Sequence, residues 1–190
     1  MIIGFDLDGV LYPWHEIVLE YCKKSGFIDR SVNLKKLFNP FDSTNIFDNQ
    51  FNSILRHNIL HNPTLYDKAP IRKDYLRILN NLAKLTRIIY VTFRPFVEVT
   101  MHWMKYNKLP YYNDTFIVNG GPSGKVNVVK ENNCLLYIDD RVDVAKVLSP
   151  ITKVLLLNRP WNEDWKEEGN VVRIYSLDEI KNHLGGDNGY

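Results

Sequence analysis

Asp6 and Asp8 stand two residues apart in Phe5-Asp6-Leu7-Asp8-Gly9-Val10-Leu11, directly after the apolar run Met1-Ile2-Ile3-Gly4. At strand spacing, side chains at i and i+2 share a face. Both carboxylates can therefore reach one site beyond the strand's carboxyl end, where open α/β sheets place their ligands. A carboxylate pair there can attack an electrophile, shuttle a proton or hold a hard cation through oxygen. The plain alternative is that the two merely polarise a turn.

Three further places along the chain carry groups of matching chemistry. The run 87–92 ends in Val91-Thr92-Phe93-Arg94-Pro95, with a hydroxyl just ahead of an expected helix. A helix start offers free N–H groups to an anion, although a threonine there equally suits a plain N-cap. Arg94 adds a cation that can as well be a surface residue. Gly120-Gly121-Pro122-Ser123-Gly124-Lys125 resembles a phosphate loop only superficially, because Val126 follows the lysine and Asn119 precedes the glycines. The nucleoside-triphosphatase spacing is not met. The segment reads as a turn that delivers Lys125 to a helix. Finally, 134–138 leads into Asp139-Asp140-Arg141-Val142-Asp143. Clustered carboxylates repel, and burying them is costly without a compensating cation. Acidic pairs at the ends of two neighbouring strands thus imply a bound cation. Oxygen-only ligands favour magnesium over zinc, and neither Cys22 nor Cys134 is placed to ligate.

The elements that must position these groups alternate. Strands are expected at 1–6, 87–92, 115–119, 134–139, 153–157 and 171–175, each a short apolar run suited to burial on both faces. Helices are expected at 71–85, 95–107 (opened by Pro95), 125–132, 141–148 and 176–184. The last opens with Ser176 and Glu179 in capping-box spacing. Such alternation predicts a parallel sheet. One region breaks the rhythm. Segments 14–24, 31–38 and 44–60 read as helical and no parallel strand interrupts them, which predicts an inserted helical lobe placed as a lid over the site. A helical layer packed on the sheet is the alternative. The tail 185–190 is expected to be mobile.

Bulk properties set limits. The 190 residues, 45% of them hydrophobic, suffice for one full core and a small lobe. The net charge of +2 and the scattered pairs Lys23-Lys24, Lys35-Lys36 and Arg72-Lys73 form no nucleic-acid stripe. No signal peptide and no membrane-crossing run is read, and two cysteines make no disulfide framework. These features predict a soluble protein of a reducing, cytoplasmic compartment, without stable nucleic-acid or membrane partners.

Taken in order, the pieces resemble the four motifs of the haloacid-dehalogenase-like phosphohydrolase superfamily: Asp6-Leu7-Asp8-Gly9-Val10, Thr92, Lys125 and Asp139-Asp140, over residues 1 to about 160. Dehalogenases of the superfamily lack the second aspartate of the first motif, so Asp8 favours phosphoryl chemistry. Within it, the chain is most similar to the 5'(3')-deoxyribonucleotidase-like group. That group shares the D-x-D-G-V-L opening, the I-D-D-R ending and a Pro-aromatic-Asn turn, here Arg159-Pro160-Trp161-Asn162. Two departures stand out. Thr92-Phe93 replaces the usual Thr-Ser, and the base-stacking aromatic pair has no secure counterpart among Tyr12, Trp14, Phe41, Phe47 and Phe51.

The resemblance implies an α/β fold, a Rossmann-like parallel sheet with a small helical cap. The core would be 1–13 and 71–184, the cap 14–70. It implies a phosphomonoesterase in which Asp6 forms an aspartyl-phosphate and Asp8 serves as acid and then base. Magnesium would be held by Asp6, the Asp8 carbonyl and Asp140. Thr92, Phe93 and Lys125 would bind the phosphate, with Asp139 and Asp143 around the metal shell. The implied substrate is a small phosphorylated molecule, a nucleoside monophosphate. Alternatives are a sugar phosphate, a nucleic-acid 3'-phosphate end, a phosphomutase, or a binding module without turnover.

Overall fold

The computed structural model describes residues 1–41 and 43–184. Six strands form one sheet: β1 (Ile2–Phe5), β2 (Arg87–Thr92), β3 (Thr115–Ile117), β4 (Leu136–Asp139), β5 (Lys153–Leu157) and β6 (Val171–Ile174). Their order is β3-β2-β1-β4-β5-β6, and every neighbouring pair is parallel. The chain builds outward from β1 in one direction through β2 and β3, then in the other through β4. That reversal leaves a crevice beyond the carboxyl ends of β1 and β4.

The strands are apolar because both faces are covered. Alternate residues divide between two cores, as a period of two requires. Ile3, Phe5, Tyr90 and Ile138 point to one face, which α1 (Trp14–Lys24), α4 (Lys73–Leu82) and α5 (Val97–Tyr106) cover. Ile89, Val91, Tyr137 and Leu156 point to the other, covered by α6 (Ser123–Glu131) and α7 (Val142–Leu148).

Between β1 and α4 lies the helical insertion: α1, α2 (Leu34–Phe38), a π-helical turn (Ile46–Gln50), α3 (Ser53–Leu60) and a 3-10 turn (Pro63–Leu65). Its aromatic residues Trp14, Phe38, Phe47, Phe51 and Tyr66 join the core of the first sheet face without a break. It is also tied to the far side of the site, where the Lys35 ammonium lies 2.8 Å from Glu163 and 3.0 Å from Asp164.

Several boundaries differ from the sequence reading. The expected helix 44–60 is two elements, because Asn45 and Asn52 each accept an N–H from the turn that follows and start it afresh. The stretch 31–38 is helical only from Leu34, capped by Asn33. The helix expected from Pro95 begins at Val97. The helix carrying Lys125 begins two residues earlier, at Ser123. The segment 176–184 has its capping box, yet winds as a 3-10 helix over Leu177–His183. The tail 185–190 lies outside the described residues. Among those residues no helix is long and apolar enough to cross a membrane, and Cys22 and Cys134 are free and buried.

Candidate active site

Parallel strands finish at one edge of a sheet, so residues that end them meet. Asp6 follows the last residue of β1, Thr92 ends β2, and Asp139 ends β4 with Asp140 behind it. The Asp6 N–H donates to Ile138 O at 2.9 Å, which continues the β1–β4 pairing into the site. Asp6, Asp139 and Asp140 are buried, and each offers a carboxylate oxygen within 4.8 Å of the others.

Lys125 reaches this cluster from the first turn of α6. Its ammonium donates to Asp6 Oδ1 at 2.7 Å and Asp139 Oδ2 at 2.8 Å, and its side chain is wholly buried. The Phe93 ring lies 4.8 Å from the ammonium. Burial disfavours the charged lysine, but Asp139 and Asp6 outweigh it and hold the ammonium well above its usual range. Burial pushes the Asp139 carboxyl up to about 6 despite Lys125. The other Asp139 oxygen accepts the Arg141 N–H at 2.9 Å.

Asp140 is held by the turn after β5. Trp161 Nε1 donates to its Oδ2 at 2.8 Å, and Asn162 Nδ2 donates to its carbonyl at 2.7 Å. Its Oδ1 is buried and has no hydrogen-bond partner among the described residues. Burial, then Asp139 and Asp6, push the Asp140 carboxyl well above the ordinary range. With all three carboxyls ionised, the one ammonium would leave the cluster two charges short of neutral. An orphaned buried oxygen, an all-oxygen donor set and a deficit of two positive charges fit a hard divalent cation.

Asp8 leaves β1 in a tight turn. Gly9 has φ +83°, and a Cβ on it would lie 2.2 Å from Asp140 Oδ2. Only glycine lets this turn pass so close to the second acidic pair. Arg159 clamps the turn by donating to Gly9 O at 2.7 Å. The Asp8 side chain, 20% exposed, accepts from a fully buried Arg94. Thr92 Oγ1 accepts the Arg94 N–H at 3.3 Å, so it braces this turn and does not cap α5. Asp143 pairs with Arg141 on the rim, its carboxylate about half exposed.

A cleft opens above these groups in two connected parts. The inner part, about 130 Å³, is lined by Asp6, Asp8, Thr92, Phe93, Arg94 and Arg141, with Trp14, His15, Leu60 and Tyr66 of the insertion. The outer part, about 500 Å³, shares Trp14, His15, Leu60 and Arg141 and adds Phe38, Phe47, Asp140 and Trp161. The insertion therefore lines both parts of the cleft, with Trp14, Phe38, Phe47 and Tyr66 among its lining residues. Of the aromatic residues considered from sequence, Trp14 and Phe47 line the outer part. Tyr12 faces Arg94, Phe51 packs on Phe47, and Phe41 is exposed.

Three residues of the site carried no decisive signal in the sequence. Arg94 is buried, not a surface cation. Trp161 orients Asp140. His15 stacks on Trp161 at 3.9 Å, and its buried Nδ1 has no hydrogen-bond partner among the described residues.

No family model matches the chain. It is 28% identical over 188 residues to a curated nucleotidase of Clostridium acetobutylicum, a match covering 94% of this chain and 90% of the relative. Among solved structures, it is similar to a haloacid dehalogenase-like family hydrolase of Streptococcus pneumoniae. That likeness has a TM-score of 0.66 at 11% identity and covers 97% of this chain and 98% of the other. A HAD-hydrolase of Bacillus subtilis, solved bound to magnesium, is similar with a TM-score of 0.62 at 14% identity, covering 96% and 97%.

Proposed function

We propose that this chain, which has the fold of the haloacid-dehalogenase-like hydrolases, is a phosphomonoesterase that hydrolyses nucleoside monophosphates through an aspartyl-phosphate on Asp6. The observation that carries this reading is the meeting of Asp6, Asp139, Asp140 and Lys125 on the floor of a cleft that also holds Asp8. Asp6 attacks phosphorus as the bond to the leaving oxygen breaks, and Asp8 gives that oxygen a proton. Water then attacks phosphorus, Asp8 takes its proton, and the bond to Asp6 breaks to free phosphate. Lys125 restrains Asp6 and stabilises charge gathering at phosphorus, with Thr92 and the backbone at Phe93 facing the phosphoryl oxygens. Asp6, Asp140 and the Asp8 carbonyl would hold magnesium, which when bound would offset charge between the substrate's phosphate and Asp6. Asp139 orients Lys125, and Asp143 acts only through Arg141.

The nucleotide part of the reading rests on two supports. The relative of nearly equal length bears the name nucleotidase. The outer cleft, lined by Trp14, Phe38, Phe47 and Trp161, offers flat apolar faces to a base. The insertion over 14–70 then acts as a cap that chooses the leaving group. A phosphate-release assay over nucleoside monophosphates, sugar phosphates and a 3'-phosphorylated oligonucleotide tests both parts. The expected result is magnesium-dependent release, abolished by chelator and fastest with a nucleoside monophosphate. Faster release from every sugar phosphate would overturn the nucleotide assignment. No release from any monoester would overturn the phosphatase assignment.

A further inference from the structure

The Arg94 side chain is wholly buried, and among the described residues its only carboxylate partner is Asp8. Nε donates to Oδ1 at 2.9 Å and to Oδ2 at 3.1 Å, and Nη2 donates to Oδ1 at 2.6 Å. Nη1 donates to Tyr66 O at 3.3 Å. The guanidinium carbon lies 4.4 Å from the Tyr12 ring centroid, 5.1 Å from Trp103 and 5.4 Å from Tyr66. These rings are anchored where the chain enters and leaves the cap. The Tyr12 hydroxyl donates to Leu65 O at 2.7 Å and accepts the Lys68 N–H at 3.0 Å. Trp103 Nε1 donates to Ala69 O at 2.7 Å.

An ion pair taken this far from water returns little net stability, so stability is a weak account of its presence. Its distinctive property is geometric. A guanidinium is always charged and presents donors in a rigid plane, so it fixes the rotation of a carboxylate as a lysine cannot. Here it does so among three rings, those of Tyr12, Tyr66 and Trp103.

The fork also distinguishes the two oxygens. A carboxylate oxygen accepts about two hydrogen bonds. Oδ1 already takes two N–H groups, whereas Oδ2 takes one, the longer of the three. Oδ2 is the atom with a lone pair to spare. Both Asp8 oxygens act as acceptors in this fork. In the two-step scheme above, on which this inference rests, Asp8 is the carboxylate once it has protonated the leaving oxygen. It is the carboxylate when water must be activated.

We propose that Arg94 is a positioning residue for the second step: it holds Asp8 as the general base that breaks down the aspartyl-phosphate. In that step a water oxygen bonds to phosphorus and its proton passes to Asp8 Oδ2. The bond between phosphorus and Asp6 breaks with its electron pair returning to the Asp6 carboxylate. Arg94 acts on the reaction through Asp8.

The test uses p-nitrophenyl phosphate, whose leaving group needs no proton, so that Asp8 serves only in the second step. For a two-step enzyme, slowing only breakdown lowers kcat and KM together and spares their ratio. Arg94→Met should lower kcat on the order of a hundredfold, as for loss of a positioned base. KM should fall with it, kcat/KM should change far less, and acid-quenched phosphoenzyme should build up beyond the wild-type level. Arg94→Lys keeps a cation but not the fork, and its kcat should lie between the two. It carries the same comparison if Arg94→Met does not fold. A parallel fall of kcat and kcat/KM without phosphoenzyme build-up would overturn the proposal, as would an unchanged kcat. Failure of both variants to fold would make Arg94 a structural ion and also overturn it. Wild-type protein that releases no phosphate from any monoester overturns the phosphatase reading itself, a separate outcome.

Discussion

Trp161 donates its indole N–H to one oxygen of Asp140, and the other has no partner among the described residues. That asymmetry turns a buried carboxylate into a candidate ligand whose free oxygen has a fixed direction. Trp161→Phe keeps the ring and removes the donor. The magnesium concentration for half-maximal activity should then rise about 10–100-fold, the usual cost of losing a partner that orients a metal ligand. A magnesium titration at fixed substrate reads this, and an unchanged midpoint would contradict the role. His15, stacked on the same indole, titrates with folding. Burial first, then the charges of Arg141 and Arg159, push it down from 6.5 to about 3. The unfolded chain therefore binds a proton near pH 6.5 that the folded chain refuses until far lower pH. Stability from this group is complete above 6.5 and drains away as pH falls toward 3. His15→Gln cannot take that proton. Thermal melts between about pH 7 and pH 4 should show wild type losing Tm more steeply than the variant. Parallel curves would show that His15 ionises as freely in the folded protein.

At the scale of elements, the site is made by strand ends and by the turns leaving them. The turn after β1 is the tightest part, because Gly9 passes against Asp140 with a positive φ. Gly9→Ala should cost about 1–3 kcal/mol from backbone strain alone, and a domain of this size loses roughly 2–4 °C of Tm per kcal/mol. Activity should fall further than stability, since the displaced atom is the Asp140 carboxylate. A melt together with a phosphate-release assay checks both, and a variant with wild-type Tm would show that the turn relaxes. The same turns show how much could be read from sequence. Strand-end carboxylates are legible because paired acids directly after a buried apolar run need a compensating cation beside them, and parallel strands bring such ends together. The partners of those carboxylates are not legible. Arg94 lies 86 residues from Asp8, and Trp161 lies 21 from Asp140. Nothing local in Phe93-Arg94-Pro95 tells a buried fork from a surface cation. Helix starts shifted where a cap outweighed periodicity. Asn52 begins a new helix inside the stretch 44–60, whereas the helix after Pro95 starts two residues later, at Val97, without a side-chain cap.

At the scale of the whole molecule, the sheet and the helical insertion both contribute residues to the cleft. The two share one continuous core, so the cap's aromatic residues both pack and face the cleft. The cavity of about 130 Å³ holds the carboxylates of Asp6 and Asp8, and the neighbouring one of about 500 Å³ is the more aromatic. Truncating Phe47, which lines only the outer part, should lower kcat/KM for a nucleoside monophosphate more than for p-nitrophenyl phosphate. Loss of base stacking worth roughly 1–3 kcal/mol corresponds to about a 5- to 150-fold change in that ratio. Equal losses on both substrates would remove the cap from substrate choice. The central claim, covalent phosphoryl transfer to Asp6, has a direct measurement. Protein mixed with p-nitrophenyl phosphate and magnesium is quenched in acid within the first turnovers, and its peptides are mapped by mass spectrometry. The account predicts phosphate on the peptide bearing Asp6, none in Asp6→Asn, and turnover in that variant lower by several orders of magnitude, on the scale seen when a nucleophile is removed. Phosphate on another residue, or Asp6→Asn keeping more than about a tenth of wild-type turnover, would contradict it.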